Sequence, residues 1–150
     1  MKTILSQNFL INQDIAQKIV EAIELMGGDK VIEIGPGRGA LTDFLVEKPI
    51  EILALEKDFV LVEKLRKIFK HKNNLKIVHR DGLEFNHDDL KRFAPDLNYK
   101  LISNLPYAVT SLMINKYFVE GNIGKPQSAV LMVQKEVAER LSSKAGEKNR

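Results

Sequence analysis

Val31-Ile32-Glu33-Ile34-Gly35-Pro36-Gly37-Arg38-Gly39-Ala40 is the stretch whose reading decides the fold. Val31 to Ile34 is a short strand of mostly β-branched residues, and a glycine-rich turn comes directly after it. Glycine has no Cβ, so the backbone there can turn sharply and let a ligand approach closely. Beyond the turn a helix is expected from about Ala40 to Glu47. Strand, glycine turn and helix together make the opening unit of a nucleotide-binding α/β sheet. Alone, the signal is ambiguous. Gly35-x-Gly37-x-x-Ala40 also satisfies the dinucleotide fingerprint, and a glycine-rich turn can be only a turn.

Reading outward, the same alternation recurs on both sides. Upstream, Asn12 can cap a helix whose stripe is Ile15, Ile19 and Ile23 with Ala16 and Val20, ended by Gly27-Gly28. Downstream, Ile50 to Leu55, Leu75 to Val78, Lys100 to Ile102 and Ala129 to Val133 read as strands. Helices are expected around Leu61, Leu65, Ile68 and Phe69, then from Ser111 to Phe118 and from Lys135 to Leu141. No internal repeat interrupts the pattern. Five strands separated by helices imply an α/β fold, a mostly parallel sheet covered on both faces, in one domain over residues 1–150. In such sheets ligands sit at the carboxyl ends of the strands, so unusual chemistry should fall just after each strand.

Composition narrows the chemistry. The chain has 150 residues, 44% of them apolar, enough for a real core. It has no cysteine, which excludes disulfides, thiolate metal sites and a thiolate nucleophile, and with it thiolate-driven cytosine C5-methylation. The longest apolar runs are too short to cross a bilayer, and the first thirty residues lack a signal peptide's layout. A cytoplasmic protein without membrane contact is therefore expected. A net charge of +3 suits a polyanionic partner without demanding one. Lys64, Arg66, Lys67, Lys70 and Lys72 crowd one stretch, and Lys144, Lys148 and Arg150 another. Both read first as solvated surface. His71, His79 and His87 show no metal-ligand spacing, and no metal is expected.

The strand ends carry the candidate site. Glu56 ends the second strand, where an acidic side chain can accept from ribose hydroxyls. Asp81, after the third, can accept from the exocyclic amine of an adenine. Adenosine recognition is shared by NAD and S-adenosylmethionine. Glu33 favours the second, because a methionine tail brings its own cationic groups whereas a pyrophosphate wants a helix N-terminus. The fourth strand ends in Ser103-Asn104-Leu105-Pro106-Tyr107. Pro106 stiffens that turn and biases Leu105 away from helix. An adenine amine is a poor nucleophile, and its hydrogens must be held by acceptors as the nitrogen becomes tetrahedral. The Asn104 side-chain oxygen and the Leu105 carbonyl can do this while Tyr107 stacks on the base.

These residues resemble the ribosomal RNA adenine dimethyltransferases of the KsgA type, with the macrolide-resistance rRNA methyltransferases as relatives. The resemblance runs through Ser6-Gln7-Asn8-Phe9-Leu10, Glu33-Ile34-Gly35-Pro36-Gly37 with Gly39, Leu41 and Thr42, then Glu56, Asp81, Asn104-Leu105-Pro106-Tyr107 and Gln134-Lys135-Glu136-Val137. It implies a Rossmann-like class I methyltransferase core with S-adenosyl-L-methionine as cofactor. Asn8 and Leu10 would close over the cofactor, Gly35 would meet its methionine portion, Glu56 the ribose, Asp81 the adenine and Asn104 the place of methyl transfer. The implied substrate is a pair of adjacent adenosines in ribosomal RNA of the immature small subunit, and the implied full-length enzyme is a monomer. Leu105 leans toward this branch over the resistance enzymes. Family members continue past the position of Arg150 with further strands, another base-stacking aromatic and a small helical domain. The 150 residues are thus expected to be a truncated form that binds cofactor but methylates RNA weakly, with an unpaired apolar edge at Ala129 to Val133. An NAD-dependent oxidoreductase core and a noncatalytic RNA-binding relic stand as rival readings.

Overall fold

The computed structural model describes residues 12–104, 107–133 and 135–143, with the side chains of Tyr107, Val137 and Leu141 excepted. Asn12 caps α1 (Gln13–Ala22) as expected, its Oδ1 accepting from the backbone of Asp14 and Ile15. The chain then runs β1 (Lys30–Ile34), α2 (Thr42–Leu45), β2 (Glu51–Glu56), α3 (Phe59–Ile68), β3 (Leu75–His79), α4 (His87–Phe93) and β4 (Lys100–Asn104). A 3-10 turn (Tyr107–Val109), α5 (Thr110–Ile114), a π-helical stretch (Asn115–Glu120), β5 (Ser128–Met132) and α6 (Lys135–Ser142) complete it.

The five strands form one sheet in the order β3-β2-β1-β4-β5, every neighbouring pair parallel. Each parallel step needs a crossover, and right-handed crossovers deliver the helices to the two faces. Strand order reverses between β1 and β4, which opens a crevice at their carboxyl tips. Register aligns those tips: Ile34 lies opposite both Leu55 and Ser103, Glu56 opposite His79, and Asn104 opposite Met132.

Alternation along the strands sorts the core into two layers. Val31, Ile52, Ala54 and Ile102 pack with Ala16, Val20, Leu45, Val62 and Leu65 from α1, α2 and α3. Ile32, Leu53, Leu55 and Leu101 pack with Leu90, Met113 and Tyr117 on the other face. Burial on both faces explains why the central strands are apolar without interruption.

Several expectations need correction. The helix expected over 40–47 is a single turn, because the glycine turn extends through Ala40. Ile15 is 43% exposed and Ile68 62% exposed. The other predicted stripe residues Ala16, Val20 and Ile23 of the first helix, and Leu65 and Phe69 of α3, are buried, and Val62, which the sequence reading left out, is buried with them. The helix predicted over 111–118 changes to π geometry at Asn115. Sequence reading also missed α4, which has few apolar residues and is held by a reciprocal cap: Asn86 accepts from the Asp89 backbone while Asp89 accepts from that of Asn86. No helix among the described residues is long and apolar enough to cross a membrane.

Candidate functional site

The turn after β1 is built for close approach. Gly35, Gly37 and Gly39 have φ of 69°, 60° and 90°, a region where a side chain is strained. Two of these glycines also differ in what surrounds them. A Cβ on Gly39 would lie 3.0 Å from the Phe69 ring and 3.2 Å from Leu65, so this glycine lets α3 pack against the turn. A Cβ on Gly35 would meet nothing within 4 Å among the described residues. None of the described residues therefore blocks approach to its backbone.

Two carboxylates support the turn. Glu56, at the tip of β2, accepts from Gly37 N at 3.1 Å through one oxygen and from Asp58 N at 3.0 Å through the other. It thereby ties the glycine turn to the start of α3. Each oxygen keeps acceptor capacity, so hydroxyls of a ligand can still be bound there. Glu33 points into the layer beneath the turn and is only 1% exposed. Its Oε2 accepts from the Thr42 hydroxyl at 2.7 Å, while Oε1 has no hydrogen-bond partner among the described residues. Burial pushes its carboxyl up to about 7, opposed by the Thr42 hydrogen bond and reinforced by the negative charges of Glu56 and Asp43. A buried oxygen without a partner, amid like charge, is costly unless something cationic compensates.

The neighbouring tips complete the edge. Asp81 lies just beyond β3, half-buried, and its Oδ1 accepts from Leu83 N at 2.9 Å. Gly82 is wedged in place: a Cβ there would come within 2.8 Å of Ile34 and 2.9 Å of Met113. The buried Ser103 hydroxyl donates to the Ile34 carbonyl at 2.6 Å, bolting the tip of β4 to that of β1. Asn104 then ends β4, half-buried, and Tyr107 begins the 3-10 turn that leads into α5.

Gly35, Glu56, Asp81 and Asn104 thus lie along one edge of the sheet, at or just beyond the tips of β1, β2, β3 and β4. Asn8, Leu10, Leu105 and Pro106 lie outside the described residues. Thr42, Ser103 and Tyr117 support this edge, and sequence reading gave none of them a role. No group of His, Asp and Glu among the described residues is arranged to hold a metal ion. The histidines are dispersed: His79 contacts the Lys57 carbonyl and His87 that of Ile123.

Two solved structures that share this arrangement are named as methyl-transferring enzymes. A 23S rRNA methyltransferase, ErmE, superposes with a TM-score of 0.75 at 26% identity, covering 88% of this chain and 50% of that one. A dimethyladenosine transferase from Plasmodium falciparum gives 0.72 at 28% identity, covering 93% and 48%. Fold and site together define a Rossmann-like class I methyltransferase core. The chain matches the ribosomal RNA adenine dimethylase family over residues 1–150, and it belongs to that family. Among its relatives, the ribosomal RNA small subunit methyltransferase A of Malacoplasma penetrans is 43% identical over 144 residues, 96% of this chain and 50% of that protein. The Fusobacterium nucleatum protein of the same name is 43% identical over 141 residues, 93% and 51%. The chain spans about half the length of the curated relatives it matches.

Proposed function

We propose that this chain binds S-adenosyl-L-methionine across the tips of β1, β2 and β3 and serves methyl transfer to N6 of adenosines in small-subunit ribosomal RNA. The observation that carries the cofactor half is Glu33. A buried carboxyl with one oxygen unpartnered among the described residues and two negative neighbours fits a ligand whose near end is cationic and would favour its ionised form, whereas a pyrophosphate would add like charge to the same place. Gly35 gives that ligand room at the backbone, Glu56 accepts from its ribose hydroxyls and Asp81 from its adenine amine. Asn8 and Leu10 close over it from the amino-terminal segment. The bound cofactor supplies an electrophilic methyl group.

Everything else falls to the protein's dipoles. The Asn104 side chain and the Leu105 carbonyl accept the two hydrogens of the target amine, aligning its lone pair and stabilising positive charge as it develops. From the sequence, Pro106 would bias Leu105 away from helical geometry and Tyr107 would stack on the extracted base. A general base is unnecessary, because the alkylated amine becomes acidic and loses its proton to water. The small-subunit relatives at about 40% identity favour that RNA over the large-subunit target named for ErmE. Such a substrate places the protein in the cytoplasm on the immature small subunit.

Calorimetric titration with S-adenosylmethionine, its demethylated product and NAD tests the reading. Saturable binding of the first two is expected, and binding of NAD in their place would overturn it. In the full-length enzyme, Asn104→Ala should slow methyl transfer by about 10²-fold or more while sparing most cofactor affinity. A rate unchanged by this substitution would reduce the protein to an RNA-binding relic.

A further inference from the structure

Tyr117 is fully buried, yet its ring fills a core position that an apolar residue could occupy. Its hydroxyl makes one specific bond, donating to the Gly82 carbonyl at 2.8 Å, 35 residues away. The residue sits in the π-helical stretch Asn115–Glu120, which continues α5 and so descends directly from the Asn104 to Tyr107 turn. π turns are uncommon and re-aim the side chains they carry.

The target of that bond is the Gly82–Leu83 peptide, the same unit whose N–H holds the Asp81 carboxylate. Gly82 has no freedom to drift, since Ile34 and Met113 occupy the space where a Cβ would stand. The hydroxyl restrains the same peptide through its carbonyl. Asp81 is then set by Leu83 N, which holds Oδ1 at 2.9 Å and leaves the other oxygen's direction fixed. Ile34 in turn receives the Ser103 hydroxyl. A continuous buried chain of contacts therefore runs from the tip of β4 through β1 to the loop after β3 and back to the helix beyond the base-holding turn.

We infer that Tyr117 is a positioning residue for the adenine end of the cofactor site, fixing the Asp81-Gly82 loop so that the second Asp81 oxygen meets the exocyclic amine. This rests on the cofactor reading and goes one step beyond it, to a residue that touches neither ligand nor reacting atoms. Burial foremost, then the charges of Tyr99, Asp81 and Asp89, holds the Tyr117 phenol above its ordinary range, so it remains a donor wherever the protein is folded.

The molecule contains its own control. Tyr99 is equally buried and donates to the Gly124 carbonyl at 2.7 Å, but it lies before β4, at the opposite end of the sheet. The test compares S-adenosylhomocysteine with its inosine counterpart, in which a carbonyl oxygen replaces the amine, by calorimetry on the wild type, Tyr117→Phe and Tyr99→Phe. The wild type should prefer the amine by about tenfold or more, and Tyr117→Phe should lose about fivefold of that preference. Tyr99→Phe should lower the melting temperature comparably and keep the preference. Gly82→Ala, which displaces the loop from its other side, should reproduce the Tyr117→Phe result and guards against a poorly folding variant.

If Tyr117→Phe retains the full preference, or Tyr99→Phe loses as much, the inference is overturned and the cofactor reading survives. If the wild type binds neither ligand, the cofactor reading fails and the inference goes with it.

Discussion

The two ends of the sheet treat buried charge in opposite ways. At the amino end the buried Lys100 and the half-buried Lys30 are both matched. Lys100, 8% exposed, pairs with Asp29 at 2.8 Å and donates to the Glu24 carbonyl, and Lys30 donates to the Phe93 carbonyl at 2.7 Å beside Glu51. Burial raises the Asp29 carboxyl, but the Lys100 and Met26 hydrogen bonds outweigh it and hold the group below its usual range. At the carboxyl end Glu33 keeps an unpartnered oxygen and its charged neighbours share its sign. A fold under selection for stability alone would finish both ends alike. The difference teaches that one end closes the structure while the other is left electrostatically incomplete for a ligand.

The sharpest way to break this contrast is a pH series on Glu33→Gln. Below pH 4.5 the carboxyl is protonated in folded and unfolded chains alike, and there is no charge for burial to penalise. Between 4.5 and about 7 the unfolded chain gives up the proton while the folded one retains it, so stability falls as pH rises and then levels off. That contribution amounts to about 3 kcal/mol, and the Gln variant should lack it. Denaturant midpoints measured from pH 5 to 8 decide the matter; parallel profiles for the two proteins would show that Glu33 is not under strain.

The opposite end should respond to charge removal with simple loss. Lys100→Met leaves Asp29 without its partner and should cost about 2 kcal/mol, less than a fully enclosed pair because Asp29 is partly exposed. Cofactor affinity, read by titration under conditions where the variant is folded, should not move. A smaller effect separates the glycines. Gly39→Ala strains a φ of 90° and presses on Phe69, so it should destabilise by about 1–2 kcal/mol, seen in the melting temperature. Gly35→Ala meets only the strain of its positive φ and should damage cofactor affinity more than stability. The smallest expected effect is self-association through β5, whose outer edge has no strand partner among the described residues. Sedimentation at rising concentration should show weak, reversible dimers, and a strictly monomeric profile would count against an adhesive edge.

Much of this was legible in the sequence because parallel α/β architecture punctuates itself. Strands appear as short apolar runs, and a ligand sits against the residues just beyond their carboxyl ends. Glu56 and Asp81 could be picked out by that rule alone. Helices were harder. Spacing put Ile15 and Ile68 in the apolar stripes, but each lies at the exposed margin of its stripe, while their neighbours Ala16 and Phe69, read in the same stripes, are buried. α4 has almost no apolar signature, since a reciprocal cap holds it in place of a stripe. The supports of the site were unreadable for a different reason. Thr42, Ser103 and Tyr117 act through partners 9, 69 and 35 residues away, distances over which no local pattern carries information. Asn8 and Leu10 came from family resemblance and lie outside the described residues.

The Ser103 bolt also imposes a timetable. β1 is the central strand, and β2 holds one side of its carboxyl tip through Leu55, yet the other side is not clamped until a residue 69 positions later has been added. Pairings so remote in sequence form slowly, since a long loop must close before they contribute. A nascent chain shorter than about Asn104 therefore has a glycine turn but no crevice, and small-molecule ligands can begin to shield it from proteases only once the fourth strand has docked.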